Sequence, residues 1–127
     1  MIQLAEYIAL RWKKVAEIGI GNYFEVAKKL KEIGIEVLAT DVIERKVPNG
    51  IKFFVDDVTN PKIEIYRGVE LIYSIRPPIE LYKPITNLAK RLKVSCIIKP
   101  LSGEFPGFLE GKLINYKGLS FYEQTFP

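Results

Sequence analysis

The chain reads as a single three-layer α/β domain built on a mainly parallel sheet and ending in an antiparallel hairpin. Three observations predict this. Short apolar runs alternate with segments of helical period, as at Val15-Ala16-Glu17-Ile18, Val37-Leu38-Ala39-Thr40 and Val69 to Ile75. The first run ends in Gly19-Ile20-Gly21, a corner that opens a helix. Near the C-terminus, Leu113–Tyr116 and Leu119–Tyr122 flank Lys117-Gly118, the pattern of a tight hairpin.

Each element has a local cause. Leu4, Tyr7, Ile8 and Trp12 recur at helical spacing, predicting an amphipathic helix from Ile2 to about Lys13. The first strand covers Val15 to Ile18. A helix from Tyr23 to Ile33 puts Phe24, Ala27 and Leu30 on one face and Lys28, Lys29 and Lys31 on the other, with Gly34 as its C-terminal cap. Strands follow at Glu36 to Thr40 and, after the turn Pro48-Asn49-Gly50, at Ile51 to Val55. Asn60 as N-cap and Pro61 at the first helical position predict a short helix closed by Gly68. Val69 to Ile75 is the fourth strand. A helix spans about Ile79 to Leu92, kinked or begun at Pro84, and Val94 to Ile98 is the fifth strand. Parallel strands joined through helices require right-handed crossovers.

Composition narrows the function. At 127 residues the chain is one domain over its whole length, with 48% apolar and 27% charged residues, ordinary for a soluble globular protein. No apolar run reaches the ~20 residues of a membrane span, and no leader pattern precedes the first helix, so the expected setting is cytoplasmic, without membrane partners. The absence of histidine removes the commonest general base, the Ser-His and Cys-His nucleophile systems and most zinc sites, so no metal is expected. Cys96, the single cysteine, lies mid-strand and is expected to be an inert core thiol. Scarce Gln, one Met and abundant Ile, Lys and Glu lean towards a thermophile. The net charge of +4 admits a nucleic-acid partner without demanding one. The clusters Lys13-Lys14, Lys28-Lys29-Lys31 and Lys90-Arg91-Lys93 all fall in last turns of predicted helices, where cations complement the macrodipole.

The chemistry concentrates at strand ends. Two glycines in a strand-to-helix corner let the chain turn tightly and let a ligand approach the backbone, while the helix aims free N–H groups at it. Asp41 ends the second strand twenty residues after Gly21, the spacing at which a carboxylate meets a ribose diol. A nicotinamide fingerprint wants a third small residue where this chain has Phe24, so an NAD site is disfavoured. Every Asp lies at a strand end, and Asp56-Asp57 follows the third strand. These ends border the crevice of an open parallel sheet, although Asp is also an ordinary turn residue.

With Glu17 two residues before Gly19 and only two glycines kept, the corner resembles the first motif of class I S-adenosylmethionine-dependent methyltransferases, whose fold is Rossmann-like. That resemblance implies S-adenosylmethionine as cofactor, with Glu17, Gly19 and Gly21 at its amino-acid end, Asp41 on the ribose, and Asp57 with Val58 at the adenine, Asp56 being the fallback. Ser74-Ile75-Arg76-Pro77-Pro78 resembles the Asn-Pro-Pro-aromatic motif of amino-group methyltransferases with Arg in place of Asn. A guanidinium has donors only and cannot accept from a target amine, so Arg76, Pro77 and Pro78 are assigned to the substrate side, with Arg76 suited to a carboxylate or phosphate. With Tyr73 and Ser74 before Ile75-Arg76-Pro77-Pro78, and Ile97-Ile98-Lys99-Pro100-Leu101 followed by Glu104, the sequence resembles a small, functionally uncharacterised archaeal family of truncated methyltransferase-like Rossmann domains. That family carries no established activity, so the expected function follows from the motif resemblance: a protein that binds the adenosine ligand S-adenosylmethionine or S-adenosylhomocysteine, with methyl transfer to an unknown substrate as its expected activity. A non-catalytic module acting with a protein or RNA is the alternative, and Glu104-Phe105-Pro106-Gly107-Phe108 is a candidate partner surface, lid or core plug.

Overall fold

The computed structural model describes residues 1–101 and 111–126. The segment 104–108 lies outside the described residues. The chain runs α1 (Ile2–Ala9), β1 (Lys14–Ile18), α2 (Glu25–Ile33), β2 (Glu36–Asp41), β3 (Lys52–Val55), a 3-10 turn (Ile63–Tyr66), β4 (Leu71–Ile75), a second 3-10 turn (Ile79–Leu81), α3 (Tyr82–Leu92), β5 (Ser95–Lys99), β6 (Lys112–Tyr116) and β7 (Leu119–Gln124). All seven strands form one sheet in the order β3-β2-β1-β4-β5-β7-β6. β1 to β5 pair in parallel, whereas β7 runs antiparallel to both β5 and β6. The hairpin therefore inserts its second strand between β5 and its first. Lys117 (φ 50°) and Gly118 (φ 85°) make its turn, left-handed at both positions as a type I′ corner requires.

Alternation along the strands divides the core into two layers. Val15, Val37, Ala39, Leu71, Tyr73 and Ile97 pack against α1 and α2, with Leu4, Ile8, Val26 and Leu30 coming from the helices. Ala16, Ile18, Leu38, Ile72, Cys96 and Ile98 face Ile85, Leu88 and Ala89 of α3, together with Tyr66 from the first 3-10 turn. Both faces of β1, β2, β4 and β5 are covered, which is why these parallel strands read as nearly continuous apolar runs, whereas the edge strand β3 is largely exposed. Burial pushes the Cys96 thiol up to about 12, so it is inert as expected. No helix among the described residues is long and apolar enough to cross a membrane.

Three local expectations are corrected. α1 stops at Ala9, not near Lys13, and Trp12 reaches the core from the following turn, where its amide still donates to Ile8 O at 3.0 Å. Lys14 consequently opens β1 instead of closing a helix, and it pairs with Glu36 at 3.3 Å. The helix expected at Asn60-Pro61 is a 3-10 turn beginning at Ile63. Asp56 takes the Lys62 amide just before that turn at 3.0 Å, while Asn60 N–H closes a tight turn onto Asp57 O. Pro84 lies in the first turn of α3, where its missing N–H leaves no bond unmade.

Candidate nucleoside site at the switch point

The strand order reverses between β1 and β4, and a crevice at the C-terminal ends of these strands is where ligands bind in open α/β sheets. β1 leads into Gly19 (φ 68°) and Gly21 (φ 57°), both in the left-handed region that a side chain disfavours. Beyond its chain neighbours, a Cβ built on either glycine would meet no atom of the described residues within 4 Å, so among these residues the corner's backbone is uncovered. The Gly19 and Ile20 amides donate to Thr40 O at 2.9 and 3.1 Å, tying the corner to the end of β2.

Asp41 completes that tie. Its Oδ2 accepts from the Gly21 amide at 2.8 Å and from Arg45 Nε at 3.2 Å, and its Oδ1 accepts from the Val42 amide at 2.7 Å. The spacing of twenty residues thus brings Gly21 and Asp41 into direct contact. Beyond Asp41, Val42 (61% exposed) and Ile43 (54%) leave apolar surface uncovered at the same rim.

Glu17 lies one step back on β1, between Ala39 of β2 and Tyr73 of β4. It is 1% exposed and accepts from the Tyr73 hydroxyl at 2.8 Å. Burial raises its pKa to about 8 against the opposing effect of that bond, so the carboxyl is largely protonated at neutral pH. Asp56 is buried and accepts from the Lys62 amide and, at 2.6 Å, from the Tyr66 hydroxyl, which makes it a fastener of the loop after β3. Asp57 is exposed; its Oδ1 accepts from the Thr59 amide and hydroxyl, which hold its carboxyl below the usual carboxylate range. Val58 is turned into the α3-side core.

Across the crevice, β4 ends at Ile75 and Arg76 follows with φ 51°, an uncommon conformation for a residue with a side chain. Its guanidinium lies 4.8 Å from the centre of the Tyr23 ring, so a residue after β4 stacks on a residue after β1. Tyr23 donates to Glu25, and its own pKa is pushed up to about 12, chiefly by burial. Ser74 Oγ also crosses the switch point, donating to Ile18 O at 2.7 Å. Pro77 is buried, and Arg76 and Pro78 are exposed.

The profile of the uncharacterised protein family UPF0146 matches residues 1–125. The chain belongs to UPF0146. It is 48% identical over 123 residues to a UPF0146 protein of Archaeoglobus fulgidus, covering 96% of this chain and 92% of that one. Against a UPF0146 protein of Pyrococcus horikoshii it is 46% identical over 130 residues, covering 97% and 98%. Among solved structures it is similar to an RNA methyltransferase from Salinibacter ruber in complex with S-adenosyl-L-homocysteine, with a TM-score of 0.64, 10% identity and coverage of 99% of this chain and 87% of that one. It is likewise similar to the antibiotic-resistance methyltransferase Kmr, with a TM-score of 0.64, 11% identity and coverage of 98% and 93%. At such identities the likeness is one of fold, and this UPF0146 chain has the class I methyltransferase-like, Rossmann-like architecture.

The expected site residues are thus brought together unevenly. Gly21 is hydrogen-bonded to Asp41, Gly19 is tied to Thr40 O beside it, Glu17 is buried two residues back on β1, and Arg76 follows β4 with its guanidinium over Tyr23. Asp57 stands further along the sheet, and Val58 does not reach the rim. The sequence reading missed Tyr23, Arg45, Val42 and Ile43. Arg45 had a signal in its spacing of four from Asp41, and Val42-Ile43 had one as an apolar pair beyond a strand end; the Tyr23–Arg76 contact joins residues far apart in the chain and had none.

Proposed function

We propose that this UPF0146 chain binds S-adenosylmethionine or S-adenosylhomocysteine along the C-terminal ends of β1, β2 and β3, and that it is a methyltransferase whose acceptor lies against Arg76, Pro77 and Pro78. The observation that carries this reading is the Gly19–Gly21 corner, open above both glycines and hydrogen-bonded to Asp41 at the switch point. In this reading the corner accommodates the amino-acid end of the ligand beside Glu17, which meets it as a neutral carboxyl. Asp41 receives the ribose hydroxyls while still fastening the Gly21 amide, as a carboxylate with about four acceptor positions is able to do. Exposed Val42 and Ile43 suit the flat apolar face of a base, and Asp57 suits its exocyclic amine; Val58 anchors the Asp57 turn from within the core.

When bound, S-adenosylmethionine supplies a sulfonium-activated methyl group whose SN2-like displacement depends chiefly on alignment. Alignment is what the chain's own residues offer here, and the lack of histidine is no obstacle to it. A second reading, a non-catalytic module that keeps the ligand and works through a partner, is favoured by one observation: Arg76 offers donors only where a target amine needs an acceptor.

Thermal melting tests the binding reading. At ~100 times its dissociation constant, either sulfur ligand should add roughly 2.7 kcal/mol and raise the melting temperature by a few degrees, while NAD should not. A shift with NAD and none with either sulfur ligand at millimolar concentration would reverse the assignment. Transfer of label from tritiated S-adenosylmethionine into RNA, protein or small-molecule fractions of a cell extract then separates an enzyme from a module.

A further inference from the structure

Two cations stand together on the β4–β5 side of the crevice. Ile75 and Lys99 are register partners, and the Arg76 amide donates to Lys99 O at 2.6 Å. Lys99 is held below its ordinary lysine value first by burial and then by the Arg76 charge, so the two groups feel each other. Among the described residues the ion pairs engage Met1, Lys14, Lys29, Arg45 and Lys117, and neither Arg76 nor Lys99 meets a carboxylate. The buried acid nearest the crevice, Glu17, is largely protonated at neutral pH and does not offset them.

Backbone geometry points the same way. The left-handed conformation of Arg76 (φ 51°) carries a steric penalty between Cβ and the carbonyl oxygen that glycine would avoid. Lys93 and Lys117 take the same conformation as a helix cap and a hairpin corner, whereas Arg76 takes it directly after β4 beside the switch point. The guanidinium carbon lies over the Tyr23 ring, 4.8 Å from its centre, and the side chain is exposed, within reach of a ligand.

We propose that Arg76 and Lys99 form a phosphate subsite, so that the methyl acceptor of the reaction inferred above carries a phosphate group bound between them. This assignment rests on the methyltransferase reading for the acceptor's role, though not for the binding itself. A carboxylate is satisfied by one guanidinium fork. A phosphate offers three acceptor oxygens and up to nearly two negative charges, which match a fork plus a neighbouring ammonium.

The test is a resonance titration of isotope-labelled full-length protein with inorganic phosphate, with acetate at equal ionic strength as control and S-adenosylhomocysteine as a separate arm. Saturable shifts at Tyr23, Arg76 and Lys99 are expected, with affinity falling roughly tenfold in both Arg76→Gln and Lys99→Gln. Wild-type amide dispersion in either variant suffices as the folding control, since each removes one cation alone. Acetate binding as well as phosphate, or phosphate shifts indifferent to both substitutions, overturns the subsite. Shifts at Gly19 and Gly21 with S-adenosylhomocysteine but no phosphate response also overturn it while leaving the cofactor reading intact. A phosphate response without those shifts leaves the subsite and sinks the cofactor reading, and with it the acceptor role. A short single-stranded RNA binding roughly tenfold tighter than phosphate, with the salt dependence of backbone contacts, assigns the group to a polynucleotide; equal affinity assigns it to a small phosphate ester.

Discussion

The two sides of the crevice solve opposite electrostatic problems. On the β1–β3 side the four carboxylates assigned to the site are answered from within the fold: Asp41 by Gly21, Val42 and Arg45, Asp56 by Lys62 and Tyr66, Asp57 by Thr59, and Glu17 by its own proton and Tyr73. On the β4–β5 side, Arg76 and Lys99 meet no carboxylate among the described residues, and one of them holds a strained backbone. The acidic side is thus preorganised, its loops locked by the same carboxylates that the proposed function assigns to the ligand. The basic side leaves Arg76 and Lys99 without a carboxylate partner among the described residues.

The largest expected effect strikes the acidic side at its buried acid. Glu17 is raised from 4.5 to about 8 in the folded protein, chiefly by burial. The folded state then binds this proton more tightly than the unfolded chain, so the associated stability is fully present below pH ~4.5 and lost as the pH rises to about 8. Each tenfold difference in proton affinity between the two states is worth about 1.4 kcal/mol, which makes the loss on the order of several kcal/mol. With no histidine in the chain, little else titrates across the middle of this range. Denaturant unfolding at a series of pH values should show the decline in the wild type and a much flatter profile in Glu17→Gln, which keeps an acceptor for Tyr73. Identical profiles would mean that Glu17 is ionised in the folded protein and that the acidic side is not neutral at its base.

Next in size is Asp41→Ala, which removes the acceptor shared by Gly21, Val42 and Arg45. Apo stability should fall by about 1–2 kcal/mol, and affinity for S-adenosylhomocysteine by roughly thirtyfold or more. Melting curves paired with calorimetric titration check both. A lower melting temperature with unchanged affinity would make Asp41 a loop fastener alone, and preorganisation of the acidic side would lose its ligand.

The smallest effect belongs to the basic side. Arg76→Gly relieves the left-handed strain and gives up an exposed cation–π contact of about 0.5–1 kcal/mol, so stability should stay level or rise by up to ~1 kcal/mol. A drop of more than that on chemical denaturation would show that Arg76 is structural, and the contrast between the two sides would collapse.

The parallel strands were legible in the sequence to within a residue or two: β1, β2, β4 and β5 because strands covered on both faces must be apolar along their length, and the exposed edge strand β3 because Pro48-Asn49-Gly50 marks the turn before it. α2 and the hairpin were legible through Gly34 and Lys117-Gly118, whose backbone requirements are local. α1 misled because Trp12 keeps helical spacing from Ile8 while reaching the core from a turn, and Leu10 is left exposed. Asn60-Pro61 misled because the amide ahead of the 3-10 turn is satisfied by Asp56, and a cap supplied from six residues upstream leaves no local signature.

The sequence by itself determined the layered parallel architecture, the glycine corner and the pairing of that corner with Asp41, since each follows from periodicity, from backbone conformations glycine favours, or from a spacing confined to one βαβ unit. The raised pKa of Glu17 and the surroundings of Arg76 arise instead from tertiary contacts between distant segments. Glu17 and Tyr73 are 56 residues apart, and the burial that keeps the acid protonated comes from a sheet and two helices assembled around it. The stacking of Arg76 on Tyr23 and its seat beside Lys99 exist only once β1, β4 and β5 lie side by side, because desolvation and electrostatic partnership depend on distance in space and not along the chain.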